Sequence, residues 1–124
     1  MASTRNEFAD YVVEIMSAWA TVSARKMFGG YGLYRDGVMF ALIVEDELFF
    51  KADALNVAHF KREESHPFAY RSKDRIVQVS YWSAPAACLE SPLEMSVWCQ
   101  LGFAAALRSR SAKPAPRTKK VKAS

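Results

Sequence analysis

Residues 31–44, YGLYRDGVMFALIV, carry the clearest structural signal in this sequence. Asp36-Gly37 favours a type I′ turn, because both central residues of that turn have positive φ. The turn separates Tyr31–Arg35 from Val38–Val44. The second segment is apolar throughout, as is typical of a central strand covered on both faces. These residues therefore predict an antiparallel hairpin in the middle of a sheet.

Three more segments have the composition of strands. Leu48–Lys51 follows a charged turn, Glu45–Glu47, and continues the antiparallel meander. Phe68–Arg71 and Arg75–Trp82 are predicted to form a second hairpin about Lys73-Asp74, because apolar and polar residues alternate in the later segment. The sequence thus predicts five strands.

Capping signals mark the starts of three helices. Thr4 and Glu7 have capping-box spacing ahead of an amphipathic segment. Asp53 is predicted to cap a second helix, from about residue 54 to 64. Ser91 and Glu94 form another capping box, and the last helix is expected to run to about residue 110. The order α-β(3)-α-β(2)-α predicts a two-layer α+β domain with an antiparallel five-stranded sheet.

The last helix is apolar on nearly all sides. Such a helix needs two partners. One can be its own sheet, and the other is another helix or a second copy of the chain. We therefore predict an interaction surface on this helix, within residues 93–106, that includes Leu93, Val97, Trp98 and Leu101. An edge of the sheet is the alternative surface.

Charge is distributed unevenly along the chain. Residues 108–124 hold seven of the seventeen Lys and Arg residues and no acidic residue. Residues 1–107 hold the other ten and all thirteen Asp and Glu residues, a net charge of −3. The end of the chain has too few apolar residues for a core. We predict a domain over residues 1–111 and a disordered basic tail over residues 112–124.

The predicted tail has two interpretations. Positive charges on a flexible segment favour weak, non-specific and salt-dependent binding to the phosphate backbone of nucleic acids. Alternatively, the charges only keep a solvated segment in solution. The sequence leaves both open. If nucleic acid is bound, we expect the contacts to come from Arg117, Lys119, Lys120 and Lys122.

Membrane and secreted classes are disfavoured. The longest apolar run, Val38–Val44, has seven residues, whereas a spanning helix needs about 20. Acidic residues near the start interrupt the apolar stretch that a signal peptide requires. Cys88 and Cys99 are expected to be buried thiols. We therefore expect a cytoplasmic protein without membrane contact.

The sequence contains no pattern that calls for catalysis. Gly29, Gly30 and Gly32 fit neither a dinucleotide-binding fingerprint nor a P-loop, and we interpret them as sites of bending or close backbone approach. His59 and His66 are too few to predict a metal site. No spacing suggests a Ser-His-Asp or Cys-His-Asn arrangement. We assign no catalytic, cofactor-binding or metal-ligating residue and predict that the protein is not an enzyme.

Residues 27–34, MFGGYGLY, together with Asp36-Gly37 and Phe40-Ala41, resemble the signature of the TfoX/Sxy family N-terminal domain. The resemblance extends over about residues 8–107 and includes the Trp98 segment. We interpret the motif as structural. Its residues are Met27, Phe28, Gly29, Gly30, Tyr31, Gly32, Leu33 and Tyr34.

This resemblance implies the same α-β(3)-α-β(2)-α order and a cytoplasmic bacterial protein. The best-known members regulate natural competence by assisting transcription activation through other proteins, and they carry a second, C-terminal helical domain. We expect this chain to be the N-terminal domain standing alone. The resemblance supplies no established catalytic residue. We predict a non-enzymatic regulatory module that binds a protein partner of unknown identity or forms a homodimer.

A small-ligand or enzymatic site near the glycine-bearing hairpin is a further hypothesis. Such a site needs a cavity on which polar groups converge. Convergence of Tyr31, Arg35 or Lys51 on a cavity would favour it, and side chains that point apart would argue against it.

Overall fold

The computed structural model describes residues 6–27, 29–72 and 75–112. These residues form an α+β domain, as predicted, with three α-helices and six strands. A 3₁₀ turn precedes the last helix. The elements are α1 (Glu7–Met16), β1 (Ser23–Met27), β2 (Gly30–Arg35), β3 (Val38–Val44), β4 (Glu47–Lys51), α2 (Val57–Arg62), β5 (Pro67–Ser72), β6 (Arg75–Ser83), the 3₁₀ turn (Ala86–Leu89) and α3 (Pro92–Ala112).

The strands form one antiparallel sheet in the order β1-β2-β3-β4-β6-β5. The predicted central hairpin is confirmed: Asp36 and Gly37 have φ values of 52° and 78°, the positive region that a type I′ turn requires. The chain then crosses α2 before β6 pairs with β4, with Phe50 opposite Trp82. The second hairpin is also confirmed, although its tip at residues 73–74 lies outside the described residues.

The sheet has six strands and not the five predicted, because β1 was missed. This strand pairs with β2 from Ser23 opposite Tyr34 to Met27 opposite Gly30. Its sequence, SARKM, holds two adjacent basic residues, and most of the strand is exposed. An edge strand of this kind is held to the sheet mainly by backbone hydrogen bonds. Its side chains therefore need not alternate between apolar and polar, and the sequence shows no strand pattern.

Two of the predicted helix starts are wrong by a few residues. The cap of α1 is Asn6, whose Oδ1 accepts a hydrogen bond from the Ala9 amide at 2.8 Å, while Thr4 lies outside the described residues. Helix α2 begins after Asn56 and spans only six residues. The start of α3 is confirmed, because Ser91 Oγ accepts from the Glu94 amide at 3.2 Å.

The helices cover one face of the sheet, which we call the covered face. The side chains packed between the layers are fully or almost fully buried. Gly102 lets α3 approach the sheet closely, since a Cβ there would lie 3.1 Å from the Phe40 carbonyl oxygen. The largest side chains in this core are Leu33, Phe40, Ile43 and Phe50 from the sheet, Val12 and Met16 from α1, Phe60 from α2, and Met95 from α3.

Both cysteines lie in this core as free thiols. Burial raises the pKa of Cys88 to about 12 and moves the pKa of Cys99 in the same direction. The prediction of buried thiols is therefore confirmed.

A buried asparagine ties α3 to the sheet. Asn56 is 2% exposed, and its Nδ2 donates to the carbonyls of Lys51, at 3.2 Å, and Leu101, at 3.0 Å. Asn56 Oδ1 accepts from the Asp53 amide at 2.8 Å. Asp53 in turn accepts two hydrogen bonds from Arg108, from Nε at 2.7 Å and from Nη2 at 3.0 Å. These contacts fix the position of α3.

The opposite face of the sheet, which we call the open face, carries a second apolar cluster. All of its members lie on strands: Leu42, Phe49 and Tyr81 are buried, and Met39, Val44, Phe68 and Val79 are partly buried. Residues 113–124 lie outside the described residues, so the predicted tail is represented only by Ala112, the last residue of α3. Within the described ranges, no helix is long and apolar enough to cross a bilayer.

Candidate interaction surfaces

Helix α3 presents an apolar strip to solvent on the side away from the core. Leu93 is 76% exposed, Val97 is 50% exposed and Leu107 is 43% exposed. Ala104, which lies between Val97 and Leu107 in the sequence, is half-buried. We call Leu93, Val97, Ala104 and Leu107 the α3 stripe. They stand at intervals of four, seven and three residues, which keeps them on one side of the helix. The 4-3 position between Val97 and Ala104 is the exposed Gln100, whose Oε1 accepts a hydrogen bond from Trp19 Nε1.

The four residues predicted for an interaction surface do not all lie there. Leu93 and Val97 are exposed. Leu101 is half-buried against the main core. Trp98 is 7% exposed, and its ring centre lies 5.0 Å from that of Phe60. Trp98 therefore belongs to the core, because it stands three positions after Met95 on the inner side of the helix.

Leu107 was missed by the sequence analysis. It follows Leu93 by fourteen residues, or two heptads, so the 4-3 spacing could have identified it.

The two ends of α3 carry opposite charges. Glu90 and Glu94 are exposed at its start, and Arg110 is exposed near its end. Arg108 points to the loop after β4, where its hydrogen bonds lower the pKa of Asp53. The exposed base at the end of the helix is therefore Arg110.

The open face contains a hollow of about 350 Å³. It lies over the second apolar cluster, and its described walls come from five strands. The lining residues are Met27, Tyr31, Met39, Leu42, Ile43, Val44, Phe68, Val79 and Tyr81. Tyr81 is 8% exposed, and burial raises its pKa to about 12. Its hydroxyl is therefore neutral at physiological pH and acts as a hydrogen-bond donor or acceptor.

Two basic side chains stack on tyrosines of this open face. Lys51 Nζ lies 5.3 Å from the centre of the Tyr81 ring and donates to Ser80 Oγ at 2.8 Å. The Arg25 guanidinium lies 4.9 Å from the centre of the Tyr34 ring. Lys51 therefore places a positive charge over a residue that lines the hollow, whereas Arg25 lies over a tyrosine outside that lining.

The three residues proposed to converge on a cavity are divided between the two faces. Tyr31 lines the hollow, and Lys51 stands over Tyr81. Arg35 instead lies 4.6 Å from the ring of Trp19 and 4.9 Å from that of Phe103. Of the three, only Tyr31 lines the hollow, and Lys51 stands over one of its lining residues.

The glycines of residues 27–34 are placed for close contacts. A Cβ at Gly30 would lie 2.0 Å from the carbonyl oxygen of Ile43. A Cβ at Gly32 would lie 2.8 Å from the sulfur atoms of Met27 and Met39. Gly29 has a φ of 75°. The motif thus lets β2 and β3 approach closely and makes room for two methionines, while Phe28 lies outside the described residues.

Other polar residues form local pairs. His59 Nδ1 lies 2.8 Å from Arg62, and His66 Nε2 lies 2.9 Å from Glu47 Oε2. No group of three or more metal-ligating side chains occurs in the part of the chain that the structure describes. The residues predicted to contact nucleic acid lie outside that part: Arg117, Lys119, Lys120 and Lys122.

Comparison with known proteins gives a family. The profile of the TfoX N-terminal domain family matches residues 14–106, about three quarters of the chain. The match begins within α1, spans the whole sheet with its glycine-bearing strand, and ends within α3. No curated protein matches this sequence. The chain belongs to the TfoX N-terminal domain family.

Proposed function

We propose that this chain is a non-enzymatic regulatory module that acts by binding protein, and that a second copy of the chain docks on the α3 stripe. The observation that carries the proposal is the exposure of three large apolar side chains along one helix, Leu93, Val97 and Leu107. Apolar side chains in such a row favour contact with another macromolecule. The regulatory role is the one that the TfoX/Sxy resemblance implies.

The α3 stripe suits a second copy because it is complementary to itself. When two α3 helices pair antiparallel, Leu93 of one copy faces Leu107 of the other, and Val97 faces Ala104. The same arrangement places Glu90 and Glu94 of one copy beside Arg110 of the other. Gln100, at the centre of the stripe, then meets Gln100 of the other copy. Apolar residues on one side of a helix with opposite charges at its ends are typical of paired helices, and a polar residue at a single position fixes their register. A single helix pair is a small interface, so we expect reversible association.

Sedimentation over a range of micromolar concentrations tests the pairing. We expect a monomer–dimer equilibrium that Val97→Asp weakens at least tenfold, because a carboxylate is then buried against apolar side chains. Leu55→Asp is the matched control: Leu55 is 72% exposed but lies outside α3, so this variant should associate like the parent. A strict monomer, or equal effects of the two variants, would contradict the proposal.

A charge exchange tests the antiparallel arrangement. Glu94→Arg should weaken association several-fold, since two like charges then meet across the interface. Adding Arg110→Glu to the same chain should restore the affinity. Failure of the second change to restore it would contradict antiparallel pairing.

The charge distribution favours a second candidate function, which is non-specific nucleic-acid binding through residues 109–124. The hydrogen bonds of Arg108 to Asp53 leave six bases there. Six phosphate contacts give a log–log salt slope of up to about −5 on duplex DNA. A DNA titration at low and moderate salt should show this slope for the full chain and a much shallower one for residues 1–111. Equal affinity of the two would contradict this function.

A further inference from the structure

We propose that the hollow of the open face binds a small apolar molecule that carries a carboxylate, and that the Tyr81 hydroxyl donates a hydrogen bond to that carboxylate. This inference concerns the face opposite α3 and does not depend on helix pairing.

The size and lining of the hollow favour a small molecule. Its volume of about 350 Å³ lies at the lower end of the range for small-molecule sites, roughly 300–1,000 Å³. The described residues that line it are aliphatic side chains, methionines and aromatic rings, and none is charged. Met27 and Met39 border it, and their flexible thioethers adapt to the shape of a ligand.

Tyr81 supplies the polar group that such a site needs. Its side chain is more than nine-tenths buried and lines the hollow. It forms a cation–π contact with Lys51, but its hydroxyl makes no hydrogen bond with the residues that the structure describes. A buried hydroxyl without a partner is costly, because it has lost its hydrogen bonds to water. A ligand acceptor in the hollow would remove that cost.

Charge complementarity selects the acceptor. The Lys51 ammonium lies 5.3 Å from the centre of the Tyr81 ring, and the Arg25 guanidinium lies over Tyr34 on the same face. Two cations on the same face as an uncharged hollow, one of them over a lining residue, favour an anion over a neutral or cationic group. A carboxylate accepts the phenol hydrogen bond, and it binds more strongly than a neutral acceptor does. The apolar part of the same molecule then occupies the hollow.

Decanoate is a suitable probe, because it joins a carboxylate to an apolar chain. We would add it below its micelle concentration to the full chain and record backbone amide NMR shifts. We expect saturable shifts at Leu42, Val44 and Val79, with decanol and decyltrimethylammonium binding at least several-fold more weakly. Shifts confined to α3, the absence of saturation, or equal binding of the cationic probe would overturn the proposal.

Removal of one oxygen atom tests the role of Tyr81. Tyr81→Phe should weaken decanoate binding about tenfold. The matched control is Tyr11→Phe, which makes the same deletion on α1, away from the open face, and it should bind within about twofold of the parent. Unchanged affinity in Tyr81→Phe would overturn the proposal.

Two further measurements separate this site from other uses of the face. Val44→Phe should abolish binding by filling the hollow while the dispersed amide spectrum of a folded chain is retained. Val97→Asp, which alters only the α3 stripe, should bind decanoate like the parent. Concentration-dependent shifts on β3 and β6 without any probe would instead show that a second copy covers this face, and would overturn the proposal.

Discussion

The two faces of the sheet share strands but differ in how their apolar residues are covered. On the covered face, Phe40 and Phe50 are fully buried beneath the helices. On the open face, Met39 and Val44 remain partly exposed around a hollow of about 350 Å³. We therefore expect the covered face to supply most of the stability, whereas the open face leaves apolar side chains partly exposed.

The neighbours Phe49 and Phe50 give the sharpest test of this contrast, because successive residues of β4 point to opposite faces. Phe50→Ala should lower the free energy of unfolding by about 4 kcal/mol, since helices and sheet both enclose the cavity it leaves. Phe49→Ala should cost about 2–3 kcal/mol, because an open face relaxes more easily. Urea denaturation of both variants gives the comparison. An equal or larger loss for Phe49→Ala would contradict the expectation that the covered face supplies most of the stability.

Alanine substitutions at two glycines of β2 should give the next largest difference in stability. Gly30→Ala places a Cβ against the backbone carbonyl of Ile43, and we expect a loss of about 3 kcal/mol because β2 and β3 must move apart. A Cβ in Gly32→Ala meets side chains and no backbone: the sulfur atoms of Met27 and Met39 and, at 3.1 Å, the ring of Tyr34. Its stability should therefore stay within about 1 kcal/mol of the parent. Thermal unfolding measures both. Similar melting temperatures for the two variants would show that the close approach at Gly30 is unimportant.

Loss of a polar contact should also lower stability more on the helix side of the sheet than on the open face. Asn56→Ala leaves the half-buried carbonyls of Lys51 and Leu101 without their side-chain donor, and we expect a loss of about 2 kcal/mol. Ser80→Ala removes an exposed acceptor of Lys51 on the open face and should change stability by less than about 0.5 kcal/mol. The midpoints of denaturant unfolding of the two variants measure this difference in stability. A small effect at Asn56 would mean that its network contributes little to the docking of α3.

The smallest expected effect depends on pH. Arg108 lowers the pKa of Asp53 in the folded chain, so the stabilisation is fully present above the unfolded carboxyl pKa, about 3.9, and is lost as the pH falls through the lowered folded value. Asp53→Asn should therefore cost about 1 kcal/mol at pH 7 and less at pH 3.

Unfolding at several pH values tests this, with Asp46→Asn as the control. Asp46 is exposed and has a φ of 61°, a conformation that asparagine tolerates. An Asp53→Asn penalty that does not shrink at low pH would show that the ion pair with Arg108 is not its source.

Local signals predicted much of the fold. The Asp36-Gly37 turn, the continuous apolar strand β3 and the Ser91 cap of α3 were all read from short stretches, because turns and caps depend on neighbouring residues. The edge strand β1 escaped detection, since its pairing with β2 is made by backbone atoms. The start of α2 was placed too early, because the Asp53 carboxylate does not cap this helix. It accepts hydrogen bonds from the Leu55 amide, in the loop before α2, and from Arg108.

The candidate surfaces were predicted less completely. The helical pattern indicated that α3 is apolar on more than one side, and Leu93 and Val97 are indeed exposed. The pattern did not separate Trp98, which packs on Phe60, from its exposed neighbours. The hollow could not be predicted, because its walls come from five strands and depend on the register of the whole sheet.

The sequence by itself determined the class of fold, the Asp36-Gly37 turn, the Ser91 cap of α3 and the resemblance to the TfoX/Sxy family, because these depend on spacings of a few residues. Only the tertiary structure decided which apolar side chains are covered, which line a hollow and which face solvent. Such coverage depends on residues far apart in the chain, as when Gly102 lets α3 close over Phe40 while Leu42, two positions later, faces the open side of the sheet.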